Sequence, residues 1–301
     1  MTANIYQIKS LPSGSGTFWH AVRKPIRCFD PVADIENLEI GIPHLNIDSS
    51  HLSSFFAVFT NDWVNSGSAA FVPSIYPMTF VYPVMLRAVS ISSITLPMML
   101  SMVSIKSRIY CYQTIRPDWT FSIQAGFKEV RSTLKGIELD FILNLKTGSE
   151  TVWQNTNTLF FRGMRLKNQS CEGGFMLAPV ESVSNELVLV INSKQGKHFC
   201  KLMGDSNAIH TNRFVAKLMG YDNAFSEPYQ ALGQLLMKED WLSMSSAPGK
   251  WYFEFKGPLY YDERITAKYK NENDKLRFDL YSGENQRPGI LGFFESIDTK
   301  Y

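Results

Sequence analysis

Twice along this chain, an apolar helix-like segment is followed by several runs in which apolar and polar residues alternate. Alternation with a period of two marks strands that bury one face and solvate the other, the habit of antiparallel sheets. In the first half the helix is placed over Pro83–Ile91, with Pro83 in its first turn, where a missing N–H costs little. The strands after it cover 119–130, 137–145 and 151–162, and Lys146–Glu150, containing Gly148, predicts a hairpin turn. Within 151–162, Val152, Asn155, Asn157 and Leu159 disturb the strict alternation. In the second half a strand over Glu186–Ile191 precedes a helix over 228–239, where Ala231, Leu232, Leu235 and Leu236 share a face and Pro228 stands near the start. Strands follow at 250–256, 259–269, 275–281 and 288–296. The expected class is α+β, with two units of the same element order at 71–165 and 186–301, joined by a linker at 166–185. Residues 1–70, with a weakly helical patch over Ser50–Val64, read as a lead-in that partly covers the first unit.

A chain of 301 residues, 45% hydrophobic and 19% charged, suffices for one large domain or two of medium size. Its net charge of +2 gives no case for a nucleic-acid partner or an anionic membrane surface. The cysteines Cys28, Cys111, Cys171 and Cys200 have no paired spacing, which argues against a zinc site or a disulfide scaffold. The N-terminal ten residues lack the apolar core of a signal peptide, and the expectation is a cytoplasmic protein with reduced thiols. Residues 71–105 are strongly apolar, yet Arg87, Pro77, Pro83 and Pro97 interrupt them. A buried helix suits this stretch better than a membrane span.

The densest chemistry lies at 199–216, where Asp205, Asn207 and His210 fall within six residues directly after Gly204. A carboxyl and an imidazole held this close can share one water or one substrate hydroxyl, as general acid–base chemistry requires. A polar turn would also use Gly-Asp-x-Asn. The spacing nevertheless resembles a full signature, Gly-Asp-x-Asn-Pro-(Ile/Leu)-His followed six residues later by a small residue, here Ala216. That signature belongs to the MaoC-like, or (R)-specific enoyl-thioester hydratase, family of hot-dog proteins. The resemblance is close over residues 185–260 and extends to two-hot-dog members over about 70–300. It implies a double hot-dog, in which each unit wraps a curved sheet around a central helix. The two units would pack as a pseudo-dimer, either as a monomer or as a homodimer. It further implies that Asp205 and His210 are catalytic, that Asn207 and Gly204 hold them in place, and that the first unit is non-catalytic. The implied substrates are thioesters of coenzyme A or an acyl carrier protein, with no metal and no organic cofactor.

Interconverting a 3-hydroxyacyl and a 2-enoyl thioester needs a group for the C2 proton and a group for the water. It also needs hydrogen-bond donors for the charge that grows on the thioester carbonyl. Asp205 and His210 can share the first two roles. For the third, the family places a His-Gly pair about seventeen residues after the motif histidine, and the glycine N–H donates. Here that count falls on Glu227-Pro228, and proline has no N–H. The motif proline is likewise replaced, by Ala208. The expected donor is therefore absent unless the neighbouring Tyr229 N–H or the Ser226 hydroxyl takes over, and Glu227 reads as a solvated first-turn acid or a third ionisable group in the pocket. The alternative reading is a catalytically weakened or repurposed hot-dog protein, including a pathway-specific dehydratase or cyclase.

Overall fold

The computed structural model describes residues 4–13, 17, 29–59, 71–164, 166, 174–181, 185–272 and 275–297. Among the described residues, eleven strands form one sheet. They are β1 (Asn4–Gln7), β2 (Leu38–Asn46), β3 (Val103–Cys111), β4 (Thr120–Ser132), β5 (Gly136–Thr147), β6 (Glu150–Arg162), β7 (Asn185–Val190), β8 (Gly249–Phe255), β9 (Arg264–Glu272), β10 (Lys275–Ser282) and β11 (Ile290–Ser296). Their spatial order is β1-β2-β4-β5-β6-β3-β8-β11-β10-β9-β7. Outside the parallel edge pair β1–β2, every pairing is antiparallel. The helices are α1 (Pro31–Asn37), α2 (Ser49–Phe59), α3 (Met78–Ile91), α4 (Leu96–Ser101), α5 (Ser193–Met203), α6 (Arg213–Leu218), α7 (Pro228–Leu236) and α8 (Glu239–Ser246).

The sheet order exposes an internal repeat. In the first half a strand, the long helix α3 and four more strands give the order β2-β4-β5-β6-β3. In the second half, β7, then α7, then four strands give β7-β9-β10-β11-β8. The same connectivity is used twice, and the equivalent strands β3 and β8 pair antiparallel at the centre, from Lys106↔Glu254 to Cys111↔Gly249. This is a double hot-dog. It also places a strand of the first repeat before residue 71: β2, from Leu38, is the counterpart of β7 and pairs with β4. The sequence disguises β2 because Pro43 sits where the register shifts, between Ile42 and Leu45. Proline cannot donate to a ladder and is tolerated at such breaks.

Inward-facing residues explain the pattern. On β5, Ile137, Leu139, Phe141, Leu143 and Leu145 are all fully buried. On β6, Trp153, Leu159 and Phe161 point the same way, with Asn155 and Asn157 between them. Those two amides are polar residues in core positions, and each finds an acceptor for its N–H group: Asn155 Nδ2 donates to Ser107 Oγ at 2.8 Å and Asn157 Nδ2 to Ser104 Oγ at 3.2 Å, while both Oδ1 atoms have no partner among the described residues. Strand β3 escaped notice because Lys106 and Arg108 break the apolar run. Both lie on the outer face, where Lys106 pairs with Glu138 at 2.8 Å and Arg108 with Asp140 at 3.4 Å.

Helix α3 starts at Met78, so Pro83 stands inside the helix and not in its first turn as expected. Helix α7 stops at Leu236, short of the expected 239. Lys238 takes extended backbone angles, and α8 then turns Trp241 down against Tyr269 and Phe278. The patch expected as helix over Ser50–Val64 is α2, and 60–64 lie outside the described residues. Helix α2 crosses to the second unit. Phe55 and Phe59 pack on Phe199 of α5, and Phe59 lies so close to Gly233 of α7 that a side chain there would collide with its ring. Of the expected linker, residues 174–181 run along the outer face of the second unit, where Glu254 accepts from the Leu177 N–H and Asp279 from the Val180 N–H. Much of the rest of the linker lies outside the described residues.

Candidate active site

The Asp205 carboxyl is aimed by the way α5 ends. Asn192 caps the start of α5, and Phe199, Cys200 and Met203 bury its inner face. Gly204 then takes left-handed angles, φ 68° and ψ 16°. Its N–H bonds the Lys201 carbonyl at 3.2 Å, and the Asp205 N–H bonds the Cys200 carbonyl at 2.9 Å. These two bonds make the Schellman closure, which glycine permits because it lacks a Cβ. Asp205 Oδ1 accepts the Asn207 N–H at 2.8 Å, and the Asn207 side chain accepts the Ile209 N–H at 3.3 Å. Each short polar side chain thus folds the next step of the loop. Ala208–His210 form a single 3₁₀ turn, and Asn212 then caps α6.

That turn places His210 against Asp205. The His210 Nδ1 lies 3.0 Å from the Phe225 carbonyl, and a carbonyl can only accept. The Nδ1 therefore carries a proton and Nε2 is left to face Asp205, with Nε2 and Oδ2 3.7 Å apart. The Phe225 ring meets the imidazole edge-on at 4.8 Å between centroids. Both residues are buried, Asp205 at 8% and His210 at 6% exposure, and not on a surface turn. The polar loop folds inward because Asp205 Oδ1, Asn207 and Asn212 accept backbone N–H groups, while Asp205 Oδ2 has no hydrogen bond among the described residues. A hydroxyl set beside Oδ2 and Nε2 could bond to both.

The segment 225–229 supplies the facing wall. The Ser226 N–H bonds the Leu259 carbonyl at 2.9 Å, fixing the approach to α7. The Ser226 hydroxyl, one expected donor, is spent within 3.3 Å on the Glu227 carbonyl and the Gln230 side chain. The other, the Tyr229 N–H, is spent on Glu227 Oε2 at 2.7 Å. Glu227 is thus the cap of α7 and is buried, at 2% exposure. Burial pushes its carboxyl well above the usual range, and the nearby Asp205 pushes it further. Burial likewise raises the Asp205 carboxyl, against the opposing pull of His210, the Asn207 N–H and Tyr82.

Three site neighbours had no signal in the sequence. Tyr82 comes from α3 of the first unit and lies beside both Asp205 and Glu227, where burial and these two acids hold its phenol protonated. It sits in an apolar helix that reads only as core. Cys200 and Tyr261 couple to the same two acids, and burial raises both groups. Tyr261 packs on α5 so tightly that Gly196 has no room for a side chain. The site therefore draws on both units.

No family model matches the chain. Among curated proteins it is similar to 3-hydroxyacyl-thioester dehydratase X of Mycobacterium tuberculosis, with 21% identity over 213 residues, 70% of this chain and 72% of that one. The crystal structure of HtdX from the same organism superposes with a TM-score of 0.70 at 15% identity, covering 86% of this chain and 100% of the other. A MaoC-like dehydratase from Phytophthora capsici gives a TM-score of 0.73 at 13% identity, over 90% of this chain and 98% of the other. A further Mycobacterium tuberculosis protein, Rv0216, described as a double hot-dog, matches at a TM-score of 0.52 and 9% identity, over 84% and 92% of the two chains. With the repeated sheet topology, these likenesses show that the chain has the double hot-dog fold, and among the proteins it is similar to are MaoC-like and 3-hydroxyacyl-thioester dehydratases.

Proposed function

We propose that this protein is an (R)-specific hydratase/dehydratase that interconverts 3-hydroxyacyl and 2-enoyl thioesters of coenzyme A or an acyl carrier protein, with Asp205 and His210 as its catalytic pair. The observation that carries this reading is the buried contact between Asp205 Oδ2 and His210 Nε2, with the imidazole tautomer fixed by the Phe225 carbonyl. A pair sharing one proton suffices for the chemistry. In dehydration the unprotonated member takes the C2 proton, the C2–H electrons form the double bond, and the C3–O bond breaks. The protonated member gives its proton to the departing hydroxyl, and water leaves. The pair again holds one proton, now on the other member, and its return by way of a water between the two groups resets the site. Neither a metal nor an organic cofactor is needed for these steps.

Asn207 and Gly204 hold the loop, and the first unit contributes Tyr82. The 3-hydroxyacyl thioester named for the curated relative supports the substrate class. One observation favours a second reading, a weakened acyl-thioester-binding protein: Pro228 has no N–H, and the Tyr229 N–H is taken. Incubation with crotonyl and 2-octenoyl coenzyme A, following the enoyl absorbance, separates the two. Loss of absorbance with formation of the (R)-3-hydroxyacyl product supports the enzyme. Tight binding without turnover supports the second reading.

A further inference from the structure

The last turn of α5 sets the direction in which Gly204 and Asp205 leave the helix, so the carbonyls left open at that turn bear on the site. Two of them are closed from within. The Asp205 N–H takes the Cys200 carbonyl at 2.9 Å, and the Gly204 N–H takes the Lys201 carbonyl at 3.2 Å. The carbonyl of Leu202 is closed from elsewhere: His51 of α2 reaches it with Nε2 at 3.1 Å. A carbonyl can only accept, so Nε2 carries a proton, and the imidazole serves as a side-chain cap for the C-terminus of α5.

His51 is itself held in place. Its backbone N–H goes to Asp48 Oδ1 at 3.2 Å, and the same oxygen accepts the Ser50 N–H at 2.7 Å, so Asp48 caps the start of α2. The imidazole Nδ1 lies 2.9 Å from the Tyr76 hydroxyl, which is the donor when the ring is neutral. Tyr76 is 1% exposed, and its ring meets the imidazole edge-on at 5.7 Å and Phe55 at 5.2 Å. One turn along α2, Phe55 packs on Phe199 of α5 at 6.0 Å. The two helices are thus joined twice, by rings at the middle of α5 and by His51 at its end.

We propose that His51 is a positioning residue: held by Tyr76, it caps the Leu202 carbonyl and thereby fixes the end of α5 and the place of Asp205 against His210. This rests on Asp205 and His210 being the reacting pair, as read above. His51 acts through Leu202 and takes no proton in the reaction. Asp205 Oδ2 and His210 Nε2 are 3.7 Å apart. A shift of about 1 Å in a positioned group costs on the order of a hundredfold in rate.

The test compares the parent with three variants. His51→Phe keeps a ring and loses both bonds, His51→Gln keeps an amide N–H within reach of the Leu202 carbonyl, and Tyr76→Phe frees the imidazole to turn. Turnover of crotonyl coenzyme A is measured in each, and the urea midpoint records any loss of folding. His51→Phe is expected to lose about ten- to a hundredfold in kcat with KM little changed, and His51→Gln to regain most of that loss. On the Asp205→Asn background, read in single turnover with enzyme in excess, His51→Phe is expected to add little, because a residue that acts through Asp205 has nothing left to place. An unchanged kcat in His51→Phe overturns the assignment. So does an equal fold-loss in both backgrounds, or a His51→Gln variant no faster than His51→Phe. Should His51→Phe fail to fold, Tyr76→Phe takes its place in both backgrounds, and parental kcat there overturns the assignment. A parent that turns over neither crotonyl nor 2-octenoyl coenzyme A overturns the hydratase reading and this proposal with it, whereas an active parent with unaffected variants overturns this proposal alone.

Discussion

The Phe225 carbonyl fixes which nitrogen of His210 faces Asp205, and the imidazole in turn satisfies that carbonyl. Replacing His210 by alanine therefore removes a reactive group, opens a void and orphans a buried acceptor. The expected stability loss is about 2–4 kcal/mol, read as a lower urea midpoint at unchanged slope. Tyr82 acts on the pair from the other unit. Its phenol opposes the rise of the Asp205 carboxyl that burial causes. Tyr82→Phe keeps the ring and removes this opposition, so the acidic limb of the kcat/KM profile is expected to move to higher pH. A profile identical to the parent's would show that the phenol does not reach the pair. Asp205, Asn207 and His210 were legible in the sequence because a turn writes its chemistry in adjacent residues. Tyr82 and Tyr261 were not, since an aromatic side chain in a helix or beside a strand looks the same whether it fills core or lines a site. The burial of the pair was also hidden: polar residues read as solvated until their partners, here mostly backbone groups, are known.

Gly204 is the joint between α5 and the loop that carries Asp205. At φ 68° an added Cβ strains the backbone, although Pro83 leaves room at 3.8 Å. Gly204→Ala is expected to cost about 1–2 kcal/mol of stability, measured in urea, and to lower turnover by turning Asp205 away from His210. Unchanged stability would mean that the loop takes up the left-handed angles without strain. At this scale the alternating strands β4, β5 and β6 and the helix start at Pro228 were readable. Strand β2 was hidden by Pro43 at a register break, and β3 by charges that pair across the outer face. The two units could be matched only through strand order, because equivalent strands share a place in the sheet and not a residue pattern.

In the whole molecule, carboxyls of two opposite kinds set the pH response. Burial alone would raise Asp140, but hydrogen bonds from Arg131 and Thr158 and the charges of Arg131 and Arg108 hold it below its ordinary value of 3.8. Its contribution is present above that value and is lost as pH falls through the folded pKa. Glu227 has the reverse sign. Its folded pKa lies above the ordinary 4.5, so the stability of its neutral form is complete below 4.5 and is lost as pH rises towards the folded value. Glu227→Gln removes that loss. Urea unfolding across pH is expected to show this variant gaining on the parent steadily above pH 4.5 until Glu227 ionises in the folded state. A constant gap at all pH values would show that Glu227 is not held neutral. The central claim is that the second unit's loop and the first unit's helix build one proton-sharing site, and turnover of crotonyl coenzyme A by Asp205→Asn, His210→Ala and the double variant tests it most directly. Groups that act as a unit are not additive, so each single variant is expected to lose on the order of a hundredfold or more in kcat and the double variant little beyond that. Near-parental turnover by Asp205→Asn would contradict the account.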